Sequence, residues 1–350
     1  MKKMKRRSYK STLLILLMTA ILLIVSTYAW FTSNRTVTVE TIEVNVGAVN
    51  GLQISTNATT WKSLITRDDI LTGAYSGAVN ALPTSTLKPV SSALEQSESI
   101  DGYMKMFYGV VEANESTGNY QITSTLLADA DQRPVGENPV VNGYYIVFDM
   151  FLKVDLASTV YLTNSSSVVG KTEADVAKGL QNATRIAFVK EGNVGPNEDA
   201  TGLDDFVEVI LWEPNNNAHT DSAITHAAST YGLTGQNALG ATDVIASYPG
   251  VKTTFTNLAL SESYPNATTL TQQGTNAKFK TITPSIATGT SYTSQTSNFV
   301  EFDDLAAGIT KYRVYMWIEG QDFDCQNDAS GSTMQFNLQF SLDNHVTSGS

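Results

Sequence analysis

An all-β protein is what this sequence predicts: antiparallel sheets stacked as a β-sandwich, with long Thr/Ser/Asn-rich insertions and one short helix. An apolar signal or anchor helix precedes that body. Three observations carry the expectation. Apolar and polar residues alternate with period two in several runs, which puts successive side chains on opposite faces of a sheet. A single stretch has the capping and spacing of a helix. Only 16% of the 350 residues are charged, while Thr, Ser, Asn and Gly abound.

The N-terminus sets the compartment. Residues 1–10, MKKMKRRSYK, carry six positive charges and no negative one, and the apolar run LLILLMTAILLIV fills 13–25. Ser26-Thr27-Tyr28-Ala29 then places small residues for a cut between Ala29 and Trp30, the order of a secretory signal. The apolar run is short against the about 20 residues of a comfortable span, yet an uncleaved anchor is the second reading, with Tyr28, Trp30 and Phe31 at the headgroups. Both readings make the product secreted or surface-held, with membrane contact only through residues 11–29. Removing 1–29 takes those six positive charges away and moves the net charge from −12 to −18. So acidic a body argues against nucleic acid, whose phosphates need Lys and Arg.

A strand begins the mature chain. Residues 30–46 hold Thr36-Val37-Thr38-Val39, followed by Ile42 and Val44. From 47 to 350 the pattern reads as one elaborated sandwich domain, preferred to two in tandem. In 145–154, Ile146, Phe148, Met150, Leu152 and Val154 alternate with residues that include Asp149 and Lys153. Tyr312, Val314, Met316 and Ile318 alternate with Arg313, Tyr315, Trp317 and Glu319. Met334, Phe336, Leu338, Phe340 and Leu342 alternate with Gln335, Asn337, Gln339 and Ser341. Further strands are expected at 51–56, 105–112, 119–126, 158–163, 184–190 and 206–213, most bounded by turn residues. The helix is expected over 171–180, with a Thr cap and Val176 and Leu180 four apart. Insertions near 65–100 and 214–298 read as surface elaboration.

Signals for chemistry are sparse. One cysteine excludes an internal disulfide framework, and the three histidines, at 219, 226 and 345, form no HExxH pattern. No G-x-S-x-G elbow, no phosphate loop and no Cys–His pairing for Cys325 is present, so the reading is non-enzymatic. His219 and His226 read as surface-loop residues, and Cys325 as a partly buried small side chain. Asp322, Asp324, Asn327 and Asp328 cluster in the turn between two strong strands, the kind of loop that offers calcium several oxygens. The competing reading is a solvated hairpin rich in Asx turns. Trp212, before Pro214 and three asparagines, reads as a core aromatic, with stacking on a sugar as the alternative.

The junction Thr27-Tyr28-Ala29-Trp30-Phe31-Thr32-Ser33, with the strand at Arg35-Thr36-Val37-Thr38-Val39 close behind, resembles that of secreted bacterial proteins of the TasA/camelysin type. The resemblance covers residues 8–45. It implies processing by a signal peptidase of the SipW kind, a jelly-roll sandwich, and assembly into extracellular biofilm fibres in which the freed N-terminal segment of one subunit pairs with a sheet of the next. Camelysin-type proteins have been classed as metalloproteases, an activity to which this sequence lends no residues.

Two functions are therefore in play. One is a structural protein of the cell surface or matrix that forms a homo-oligomer or fibre by strand addition, with Val37, Val39, Ile42 and Val44 filling the acceptor's pockets. The other is an adhesin or carbohydrate-binding sandwich acting as a monomer through its insertions.

Overall fold

The computed structural model describes residues 42–49, 51–83, 86–96, 102–113, 120–128, 142–163, 165–212, 214–215, 219–231, 251–253, 279–282, 299–320, 322, 324–325 and 331–343. The leader, the cut at Ala29–Trp30, Val37, Val39, Asn327 and Asp328 lie outside these residues. Among the described residues no helix is long and apolar enough to cross a membrane.

The chain is mostly β-sheet. In order, it forms β1 (Ile42–Val49), β2 (Gln53–Ser55), β3 (Leu64–Thr66), α1 (Arg67–Thr72), β4 (Thr86–Leu87), β5 (Ser91–Gln96), β6 (Met104–Ala113) and β7 (Tyr120–Leu126). Then come β8 (Asn142–Gly143), β9 (Ile146–Val154), β10 (Ser158–Leu162), β11 (Ser167–Gly170), α2 (Glu173–Lys178), a 3-10 turn at Leu180–Ala183, β12 (Thr184–Val194) and β13 (Glu208–Trp212). The remainder is α3 (Asp221–Tyr231), β14 (Val251–Thr253), β15 (Phe279–Ile282), β16 (Val300–Leu305), β17 (Gly308–Ile318) and β18 (Met334–Ser341).

Two six-stranded sheets dominate. The first has the order β16-β10-β18-β1-β3, with β11 also on β18; the second has the order β15-β13-β12-β17-β9-β2. Their facing side chains make one core, in line with a sandwich. Val44, Val46, Phe336, Leu338 and Phe340 come from the first sheet, and Ile146, Phe148, Met150, Phe188, Val314 and Met316 from the second. Phe302 sits at the centre, edge-on to Phe188 (4.9 Å between centroids) and to Phe340 (4.8 Å).

Alternation alone assigned the other face of the second sheet to water, and there the structure differs. Tyr145, Val147, Ala187, Val189, Leu211, Tyr315 and Trp317 are buried under Val79, Ala81, Val90, Leu94, Tyr103, Met104, Met106 and Phe107. The 65–100 stretch, expected as surface elaboration, is thus part of a covering layer. It is stitched down by Ala81 pairing with Val147 and Val90 with Glu319, and it continues into a third sheet of order β14-β7-β6-β5. The physical reason is visible in the residues: the second face is itself apolar at most positions and needs a cover. Every residue of β17 is consequently buried.

Two other expectations are corrected. Pairing is mixed, because β1–β18, β13–β15, β14–β7 and β4–β8 run parallel. And α2 has companions in α1 and α3. In α2 the Thr172 hydroxyl accepts from the Asp175 N–H (3.1 Å), Asp175 accepts from the Thr172 N–H (3.2 Å), and Gly179 ends the helix at φ +77°.

Candidate functional site

The turn after β17 is where the sequence placed its cation loop. Asp322 and Asp324 are buried rather than solvated, and they converge with His219 so that one ligand atom of each lies within 4.8 Å of the others. His219, expected on a surface loop, has a side chain only 2% exposed. It arrives from the residues leading into α3, whose Thr220 hydroxyl accepts from the Ala223 N–H (3.1 Å). The signal for this helix was present as a Thr cap before an Ala-rich run, but the polar composition around it masked it.

Each carboxylate oxygen there has a protein donor. Asp322 Oδ2 takes Arg185 Nη2 at 2.9 Å, and Oδ1 takes the Asp324 N–H at 2.9 Å. Asp324 Oδ2 takes His219 Nδ1 at 2.8 Å, and Oδ1 takes the Thr220 N–H at 2.8 Å. Burial pushes the Asp322 carboxyl above its usual range; Arg185 opposes this, and the Asp324 charge adds to it. A calcium ion wants six to eight oxygens from a flexible loop. Here a guanidinium already occupies the charge-neutralising position, and the arrangement works as a clamp. It ties the turn to β12 through Arg185 and to the start of α3 through His219 and Thr220. Cys325, next in the turn, is wholly buried rather than partly so. Trp212 is buried in the core between the two sheets, which takes it out of reach of a sugar.

A second ionic cluster, which alternation missed, lies under the covering layer. Asp149 on β9, Lys311 and Arg313 on β17 and Glu191 on β12 are all buried. Arg313 binds Asp149 through Nε (2.8 Å) and Glu191 through Nη1 (2.9 Å), and Lys311 Nζ lies 2.8 Å from Glu191. Tyr75 donates its hydroxyl to Asp149, and the Arg313 guanidinium stacks 4.5 Å from the Tyr103 ring centroid. Gly102 is required above it: at φ +73° a Cβ there would sit 2.7 Å from Asp204 O and 3.1 Å from Glu191 Oε1. Burial pushes Glu191 up to about 7, with Arg313 pulling down, Asp149 pushing up and Lys311 pulling down. Two carboxyl groups and two cations meet there, linking β9, β12 and β17 to Tyr75, Gly102 and Tyr103 of the cover.

The N-terminal strand is the third feature of interest. β1 pairs in parallel with β18 along its whole length, from Ile42 beside Met334 to Val49 beside Ser341. Its other edge pairs with the three residues of β3, opposite Asn45, Val46 and Gly47, and the Ala48 N–H donates to Ser63 O at 2.8 Å. Val44, Val46 and Ala48 point into the core, while Val49 is exposed. Of the residues assigned to an assembly strand, Val44 is therefore seated inside its own sheet, and Ile42 lies in register beside it. Compared with family models, with curated proteins and with solved structures, the chain matches none.

Proposed function

We propose that this is a secreted, non-enzymatic structural protein of the cell surface or matrix, with a jelly-roll-like body. It assembles with copies of itself by exchanging the segment 30–46. What supports the reading is the placement of β1: the first described strand, parallel to its main partner and held on its other edge, among the described residues, by the three-residue β3 and the Ala48 N–H to Ser63 O bond. Parallel pairing is slightly weaker per residue than antiparallel, and only the short β3 lies between β1 and the edge of its sheet. The pockets that hold Val44, Val46 and Ala48 exist in every copy, so a strand leaving one subunit finds an identical groove in the next. Gly51, at φ +87° just after β1, supplies the hinge.

A cross-link that holds β1 at home tests this. Asn45 and Asn337 are register partners whose side chains meet at 3.4 Å, so the full chain carrying Asn45→Cys and Asn337→Cys can be locked by oxidation. Electron microscopy of the exported protein is expected to show fibres from the wild type and from the reduced variant, and single subunits from the oxidised one. Equal fibres from the oxidised variant, or a wild type that stays monomeric and binds glycan, would overturn the reading.

A further inference from the structure

Among the described residues the facing sides of the two large sheets are mostly apolar, and near one end Lys190 on β12 meets Asp303 on β16. Their Nζ and Oδ2 atoms are 2.7 Å apart, with side chains 17% and 7% exposed. Lys190 belongs to the same inward row as Ile186 and Phe188. Its register partners on either side are Glu208 on β13 and Tyr312 on β17. Asp303 reaches this row because β16 carries a bulge. Val160 pairs with Asp303 and the next residue, Tyr161, with Glu301, so Phe302 is the extra residue and both Phe302 and Asp303 turn inward. Around the Asp303 carboxyl, Tyr312 donates its hydroxyl to Oδ2 and the Asp304 N–H donates to Oδ1 at 2.8 Å. The Tyr312 hydroxyl is pushed well above its ordinary range by burial, then by Asp303 and then by Glu208, so it stays a proton donor with the Glu208 carboxylate close by.

We propose that Lys190 and Asp303 form an intramolecular isopeptide bond that joins the two sheets, with Glu208 moving the protons. The reaction passes through the neutral amine and acid, the forms in which the nitrogen has a free lone pair and the carboxyl a hydroxyl that can leave. One proton passes from Nζ by way of Glu208 to Asp303 Oδ2. The Nζ lone pair then forms a bond to Cγ, while the oxygen at Oδ1 is held by the Asp304 N–H. Glu208 takes a second proton from the nitrogen and returns it to the Oδ2 hydroxyl; the Cγ–Oδ2 bond breaks, and the oxygen departs as water. An ammonium and a carboxylate become one amide and one water. Charge is balanced, no oxidant or reductant is needed, and Glu208 ends as it began.

Covalent closure between positions separated by 113 residues encloses the whole 214–298 insertion in a ring. It also fastens β16, an edge strand of the first sheet, to an interior strand of the second.

Mass spectrometry of the full chain, denatured and then digested, tests this directly. The expected product is a branched peptide joining Lys190 to Asp303, one water lighter than its two components together. Lys190→Arg and Asp303→Ala should each give linear peptides at full mass. Glu208→Gln should slow or abolish closure while circular dichroism still reports a folded β protein. Linear peptides of full mass from folded wild-type protein, or a lost water located at other residues, would overturn the bond. A Glu208→Gln variant that closes as fast as the wild type would overturn the role given to Glu208.

Discussion

Arg313 and Asp149 are cross-strand partners in the middle of the doubly covered sheet, with Nε 2.8 Å from Oδ1 and both side chains sealed from water. Removing one charge strands the others. Arg313→Ala leaves Asp149 without its cation and Glu191 with only Lys311, and it is expected to cost about 3–5 kcal/mol. The half-exposed pair Lys62–Asp69 is the control, since Lys62→Ala should cost about 1 kcal/mol or less. Urea unfolding of both variants measures the contrast, and equal small losses would show that the cluster is not a structural seat.

Glu191 gives the same cluster a pH signature. Its folded pKa, about 7, stands above the ordinary glutamate value of 4.5, so between these values the folded chain holds a proton that the unfolded chain has released. The contribution of Glu191 to stability is full below about 4.5, declines as pH rises towards 7, and is level beyond. Urea midpoints taken across this window should fall with rising pH in the wild type. In Glu191→Gln that part of the slope should vanish.

The clamp at Asp322 and Asp324 is expected to hold without a cation. With every oxygen of the pair accepting from a protein donor, a chelator should leave the thermal midpoint where it was. Asp322→Ala, by contrast, leaves Arg185 buried without its carboxylate and should lower the midpoint by several degrees. A chelator that produced the larger loss would reassign the turn to metal binding.

Cys325 offers a simple probe of the same turn. Its thiol is wholly buried, so a colourless-to-yellow disulfide reagent should find no reactive thiol in native protein and one in denatured protein. Rapid reaction without denaturant would mean that the clamp opens readily.

Central strands of both large sheets were legible in outline. The expected runs at 145–154 and 312–318 became β9 and β17, and 334–342 became β18. What period two does not tell is what covers the other face. Asp149 and Arg313 were placed with the outward residues, and they do point outward from the core; the covering layer then buries them. The His219–Asp324 contact was illegible because it joins positions 105 residues apart through a helix hidden in a polar stretch. The bulge that turns Asp303 inward likewise has no signature in alternation, since its effect is to break the alternation.

The pairing of β1 with β18 fixes an order of events. Asn45 and Asn337 touch although they stand 292 positions apart, so β1, the first of the described strands to be synthesised, waits for β18, the last of them, before it has its long neighbour. During that wait β3 can pair with one edge of β1, but the edge that β18 will take stays open. A growing chain thus carries, for as long as its synthesis takes, a leading strand with one side open, and under the proposed exchange that open side is where a neighbouring copy could attach first.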